Sequence, residues 1–427
     1  MIHGCPEYLA LSRRGFLRVA GSGAALAAAA SAPAWLPRVA LAKDYRSGQR
    51  DVLISVFLRG ASDGLSMCVP WGEAAYYAAR PTTAIARPDS TNPDRAINLD
   101  GFFGFPPGFA PLIPAYQDGN LLVVHATGST DSSRSHFDAQ RFMEVGKAND
   151  ATLGTGWLGR HLQTTSPLVP GSTLRGVGIA TGLQKTLVGG PQTLPIPNLD
   201  NFGLTGSTSS RIDRLSAIGD LYDLVPDPLH STAQNAIDTM ALLDQIEFAN
   251  YVPQGGAVYP TFSTGVAFES AAALIRAQVG VEAIAIDVTG WDTHATQGSG
   301  VGSLNNLMSQ LAQSLAAFHR DMFATTAPSV TVVVTSEFGR RLAENGTQGT
   351  DHGHGNCMLV MGHQIDGGRV LRNWPGLAAG QLYENRDLEV TIDYRDILAE
   401  VVQARLGNNN LSTIFPGFTP TIRGVTL

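Results

Sequence analysis

Apolar residues fall into short, nearly unbroken runs separated by long polar, glycine-rich stretches. Runs at 51–58, 121–126, 174–180, 281–288, 330–336 and 358–361 are rich in Val, Ile, Leu and Ala. Continuous runs of this length predict strands buried on both faces, as in a sheet covered by helices. Helical spacing predicts helices at 135–145, 232–249, 268–278, 303–323 and 394–406. In the fourth of these, Leu304, Leu307, Leu311, Leu315, Phe318 and Met322 share one face, and Ser303 stands where a cap is needed. Asp393 and Gly407 bracket the last helix. The strand–helix–strand order across 281–336 is a βαβ unit, so its two strands should be parallel. The expected class is α/β with a mostly parallel central sheet. Residues 70–109 read as a surface excursion, 181–230 as largely loop, and about 160–265 as a loop-rich cap or insertion over the sheet. The pattern holds no internal repeat.

The N-terminus changes the picture of the domain. Ser12-Arg13-Arg14-Gly15-Phe16-Leu17 matches the twin-arginine export pattern, an Ala-rich stretch follows, and Ala40-Leu41-Ala42 suits a signal peptidase. Residues 1–42 are therefore expected to be a signal peptide handled by the twin-arginine export machinery. Residues 43–427 then form the mature domain, periplasmic or secreted. Gly21, Gly23 and Pro33 interrupt the apolar stretch, which argues against a stable membrane span after processing. Removing four Arg and one Glu from 29 basic and 36 acidic residues leaves 25 and 35, a net charge of −10. Such a balance argues against nucleic acid as a partner. Cys68 and Cys357 remain, and their apolar surroundings read as buried thiols rather than a bridge.

Chemistry-bearing residues cluster just beyond the apolar runs. Asp63 follows the first run in a turn of small residues, Asp292 and His294 follow the run at 281–288, and Glu337 closes the run at 330–336. Asp351, His352 and His354 lie just before the run at 358–361. In an open α/β sheet, ligands bind outside the carboxyl ends of strands, so these segments are expected to deliver carboxylates and imidazoles to one rim. Oxygen and nitrogen donors of this kind suit a divalent metal, zinc, manganese or calcium, with copper the alternative if Cys357 and Met358 join. Glu337 has two readings, metal ligand or partner of Arg340 or Arg341. The segment 129–136 joins a strand to a helix. Ser132 or Ser135 there could act as nucleophile, Arg134 as an anion clamp and His136 in proton transfer. His125, inside an apolar run, reads as a satisfied core histidine.

The segments 57–65, 134–137, 291–294, 336–340 and 351–355 resemble those of an exported domain-of-unknown-function family distantly related to alkaline phosphatases and sulfatases. The resemblance implies a three-layer α/β/α sandwich with a two-metal site at strand ends. In that scheme Asp63 matches an early ligand and the Ser132–Ser135 stretch the nucleophile region. Asp292 and His294 match an Asp…His loop, and Glu337 stands where the Asp of an Asp-His pair would be. Phe338 departs from the pattern at the paired His, and His352 or His354 is placed to replace it. The function expected is a metal-dependent hydrolase of phosphate or sulfate esters, acting on a small-molecule or glycan ester. The alternative is a non-catalytic exported protein that binds a metal, glycan or partner on a hydrolase-like fold. A Ser-His-Asp esterase fits less well, because the proposed nucleophile region has no Gly-x-Ser-x-Gly elbow.

Overall fold

Strand Val52–Leu58 has every residue buried, and its side chains alternate between two hydrophobic clusters. Val52, Ile54, Val56 and Leu58 join one, while Leu53 and Phe57 join the other. A strand buried on both faces must be covered on both, and the computed structural model shows helices on each side. The structure describes residues 50–427, apart from 200–201, 245, 247 and 325–327. The expected signal peptide at 1–42 lies outside the described residues.

Among the described residues the sheet has nine strands: β1 (Val52–Leu58), β2 (Leu121–Gly128), β3 (Gly176–Gly178), β4 (Thr193–Pro195), β5 (Ala283–Val288), β6 (Val330–Ser336), β7 (Asn356–Gly362), β8 (Arg369–Leu371) and β9 (Ile392–Asp393). Their order is β8-β2-β7-β6-β1-β5-β3-β4, with β9 pairing to β2. The longer helices are α1 (His136–Val145), α2 (Trp157–Gln163), α3 (Arg211–Tyr222), α4 (Leu229–Leu243), α5 (Ser263–Ala277), α6 (Ser303–Phe323) and α7 (Tyr394–Ala404). α5 and α6 pack on the face of Val52 and Ile54, and α2 and α7 on the face of Leu53. The chain is thus α/β, with a mixed, mostly parallel sheet.

The expected βαβ unit is present with a refinement. β5 and β6 are parallel, as helix α6 between them requires, but β1 lies between them and pairs with both. β7 is antiparallel to both of its neighbours, β2 and β6. That reversal matters for the site. β1, β2, β5 and β6 all leave the sheet at one rim, and β7 enters at the same rim, so the residues just before β7 arrive beside the residues just after the others.

The segment 160–265 is not all outside the sheet, because β3 and β4 extend its edge beyond β5. Helix α3 falls in a stretch whose sequence reads as loop, and none of its residues is buried. It packs against α4, so it carries no core-facing apolar stripe strong enough to announce it. His125 sits as expected in the core of β2. One ring nitrogen meets the Cys68 carbonyl at 2.8 Å, and the other accepts from the Ala126 amide at 2.8 Å. Ala126 adopts φ 53° where the β2–β7 register shifts, a bulge that bends the strand next to the rim. Cys68 and Cys357 are buried free thiols.

Candidate metal centre

Four rim loops meet over the ends of β1, β2, β5 and β6, and the guanidinium of Arg340 ties three of them together. The side chain is fully buried. It donates to the carbonyls of Ala61, Gly60, Trp291 and Thr350, and to Asp292 Oδ1 at 2.5 Å. Gly60 permits this closeness. Its φ of 117° suits glycine, and a Cβ there would lie 2.7 Å from the Asp292 amide nitrogen. Gly353 plays a similar part on the other side, where a Cβ would lie 2.3 Å from the Arg340 carbonyl carbon.

Three imidazoles face the carboxylate that Arg340 holds. His294 Nε2 lies 3.1 Å from Asp292 Oδ1, His352 Nε2 3.4 Å, and His136 Nε2 3.7 Å. His294 and His352 bring their Nε2 atoms within 3.0 Å of each other. Ligand atoms of His136, Asp292 and His352 all lie within 4.8 Å of one another. Each imidazole is turned by a partner on its other nitrogen. His136 Nδ1 donates to Glu337 Oε1 at 2.7 Å, and His352 Nδ1 donates to the Arg134 carbonyl at 3.0 Å. His294 Nδ1 faces Asp351 Oδ1 at 3.4 Å, and Asn345 holds that carboxylate at 2.9 Å. This arrangement directs the Nε2 atoms inward. The Nε2 of His136 is buried with no hydrogen-bond partner, an unusual state for an interior polar atom.

Electrostatics follow from these contacts. Burial pushes the Asp292 carboxyl up, but Arg340 and the imidazoles outweigh it and hold it below the usual carboxylate range. The hydrogen bond to Glu337 raises His136 against the opposing effect of burial. Burial and the nearby Arg340 charge lower His352. Glu337 is buried, which opposes ionisation, yet its donors His136 and Gln140 keep its carboxyl low. The donor set, imidazole nitrogens with one carboxylate and second nitrogens anchored on acceptors, could hold a metal ion.

Several expected residues land elsewhere. Asp63 is not at the cluster: it is fully buried and ion-paired to Arg80 through both oxygens, at 2.6 and 3.0 Å. Ser66 and Gln297 complete its shell at 2.8 Å each. Glu337 reaches the site only through His136. Oε1 accepts from His136, Gln140 and the Gly60 amide, and Ser336 bonds Oε2. Its side chain engages His136, 201 positions away, rather than Arg340 or Arg341. Asp351 also stands behind an imidazole. His354 is buried and stacks on Tyr383 at 4.0 Å instead of joining the other histidines. Arg134 cannot serve as a free anion clamp, since Asp387 and Glu384 engage its guanidinium at 2.7 and 2.8 Å. Ser132 and Ser135 are exposed, and no hydrogen bond links their hydroxyls to the cluster. His136, expected in proton transfer, instead points a bare Nε2 at Asp292.

Sequence reasoning missed Arg80, Gln140, Asn345 and the role of Arg340. One signal was available: His136 and Gln140 lie four apart at the start of α1, on one face, and both reach Glu337.

The DUF1501 family model, described as protein of unknown function, matches residues 121–409, more than half of the chain. The chain belongs to this family. The DUF1501 match contains His136, Asp292, His294, Glu337, Asp351 and His352, while Asp63 and Arg80 precede it. No curated protein and no solved structure matches the chain.

Proposed function

We propose that the chain is an exported, metal-dependent hydrolase of phosphate or sulfate esters, with its metal held by His136, Asp292 and His352 and joined by His294. The observation that carries the reading is the convergence of three imidazole Nε2 atoms on Asp292 Oδ1 at 3.1–3.7 Å. When bound, a divalent cation supplies Lewis acidity toward an ester oxygen and makes water nucleophilic near neutral pH. The chain's own groups prepare the site. Glu337 keeps the proton of His136 on Nδ1, the Arg134 carbonyl does the same for His352, and Arg340 fixes Asp292. Water, rather than Ser132 or Ser135, is the attacking group in this reading, because neither hydroxyl is tied to the cluster. Phe137, 90% exposed and next to His136 in sequence, is the apolar side chain this reading assigns to the organic part of an ester. The likeness to alkaline phosphatases and sulfatases, the cap role of residues 160–265, and a periplasmic or secreted setting belong to the same proposal.

The test is metal analysis of protein purified without chelators, followed by a panel of phosphate and sulfate monoesters before and after metal removal. Folded protein that takes up no divalent ion and hydrolyses nothing would sink the reading. A second reading, a non-catalytic metal-binding protein, is favoured by the pairing of Arg134 with Asp387 and Glu384, which leaves no free guanidinium at that loop. Metal bound with no turnover across the panel would select it.

A further inference from the structure

The cluster's dimensions and donors say what kind of ion it suits. Around one tetrahedral ion with bonds of about 2.05 Å, ligand atoms stand roughly 3.3 Å apart. His136 and His352 stand 3.7 and 3.4 Å from Asp292, near that figure, and all three ligand atoms lie within 4.8 Å of one another; His294, 3.1 Å from Asp292 and 3.0 Å from His352, stands beside this group on the side away from His136. Two of the three donors in that group are imidazole nitrogens, and His294 beside it is a third imidazole. Calcium and magnesium favour shells of oxygen, whereas imidazole suits zinc, cobalt, nickel and copper. A second ion lacks a comparable home. Arg80 engages Asp63, and among the described residues the group of three or more candidate ligands is His136, Asp292 and His352.

The carboxylates behind the imidazoles are held away from the centre. Glu337 has a fully buried side chain and receives four hydrogen bonds, so it cannot turn toward an ion without abandoning them. Its charge acts through the ring of His136, making that ligand more basic and fixing its direction. Asp351, held by Asn345, stands in the same relation to His294.

We propose that the site takes one nitrogen-preferring transition-metal ion per chain, in preference to calcium or magnesium, and that Glu337 and Asp351 set its affinity as positioning residues without touching it. This rests on the metal-dependent reading above and narrows it.

The experiment uses the full chain, stripped by chelation and titrated with zinc and with cobalt(II) in a large excess of calcium and magnesium. Stoichiometry is read by elemental analysis, and the cobalt visible spectrum reports the ligand field. The expected result is one ion per chain, unaffected by the competing ions. Glu337→Gln should weaken binding by the folded protein about 10–100-fold and shift the cobalt bands. Should Glu337→Gln fail to fold, Asp351→Asn carries the same test, since its carboxylate is 39% exposed. A several-fold loss of affinity there supports the proposal. Two ions per chain, displacement by calcium or magnesium, or unchanged affinity in the folded variants would overturn it while leaving metal dependence intact. No binding of any ion by the folded wild-type chain would overturn the metal-dependent reading itself.

Discussion

Two aspartates leave parallel strands at the same rim, and each meets an arginine, yet their surroundings differ in kind. Asp63 is fully enclosed, and both of its oxygens are taken by Arg80, Ser66 and Gln297. Asp292 keeps 46% of its side chain exposed and offers Oδ1 to Arg340 and to three imidazoles at once. The same contrast separates two histidines. His125 has both ring nitrogens matched to backbone groups, while His136 has one nitrogen anchored and the other bare. Saturated groups hold the fold together, and unsaturated groups at the rim are available for chemistry.

The sharpest way to break this contrast is at Asp63. Asp63→Ala leaves the Arg80 guanidinium buried without its counter-charge, at a cost of about 3–5 kcal/mol. Denaturant unfolding should show that loss, while the fraction of protein that folds binds metal as well as wild type. A variant that unfolds normally but has lost its metal would return Asp63 to the ligand set.

Acid should act on the saturated histidine next. Burial lowers His125 to about 4, against about 6.5 for an unhindered imidazole. Its folded pKa is depressed, so between these values the unfolded chain binds the extra proton. The stability it contributes is complete above about pH 6.5 and declines as pH falls toward 4, by about 3 kcal/mol in all. His161, lowered to about 3 by burial, adds a loss of the same sign. The carboxylate of Asp63, held low by Arg80 despite its burial, does not contribute until the pH is lower still. The check is the imidazole proton resonance of His125, which should keep its neutral position down to about pH 5. Titration near 6.5 would show that the ring is not sealed.

The fold was legible where burial is two-sided. Strand 330–336 could be bounded from sequence because every residue in it is buried, and α6 because its apolar stripe faces the core. α3 was illegible because its residues face α4 and solvent rather than a core. At the site, Asp292, His294, His352 and the rim itself could be read, since strand ends mark them. Their partners could not. Arg80 meets Asp63 from the excursion at 70–109, and Glu337 meets His136 across 201 positions of chain. Such pairings arise from sheet order, with β1 placed between β5 and β6, and no local pattern encodes that order. His354 shows the same limit from the other side: two positions from His352, it packs on Tyr383 because the chain is already entering β7.

Asp292→Asn sharpens the comparison from the open side. The amide oxygen can still accept from Arg340, and half of the group lies in water. The fold should therefore lose only about 1–2 kcal/mol, the scale of one weakened hydrogen bond to a charged group. Metal affinity should fall far more steeply, because the one anionic ligand at the centre is gone. Parallel measurement of melting temperature and zinc content decides it. Retained zinc with a collapsed melting temperature would make Asp292 a structural pin like Asp63.

The smallest effect is expected at Phe137. Its ring is 90% exposed, so Phe137→Ala should change stability by less than about 0.5 kcal/mol. The backbone of α1 and the hydrogen bond from His136 to Glu337 do not depend on that ring, and metal content should be unchanged. If the ring flanks the organic part of an ester, KM for esters with an aromatic or apolar group should rise several-fold, with kcat unchanged. KM for a small polar ester should stay where it was. Equal KM values across both ester types in the variant and wild type would show that substrate approaches the cluster from another side, and the loop after Asp292 would become the next surface to probe.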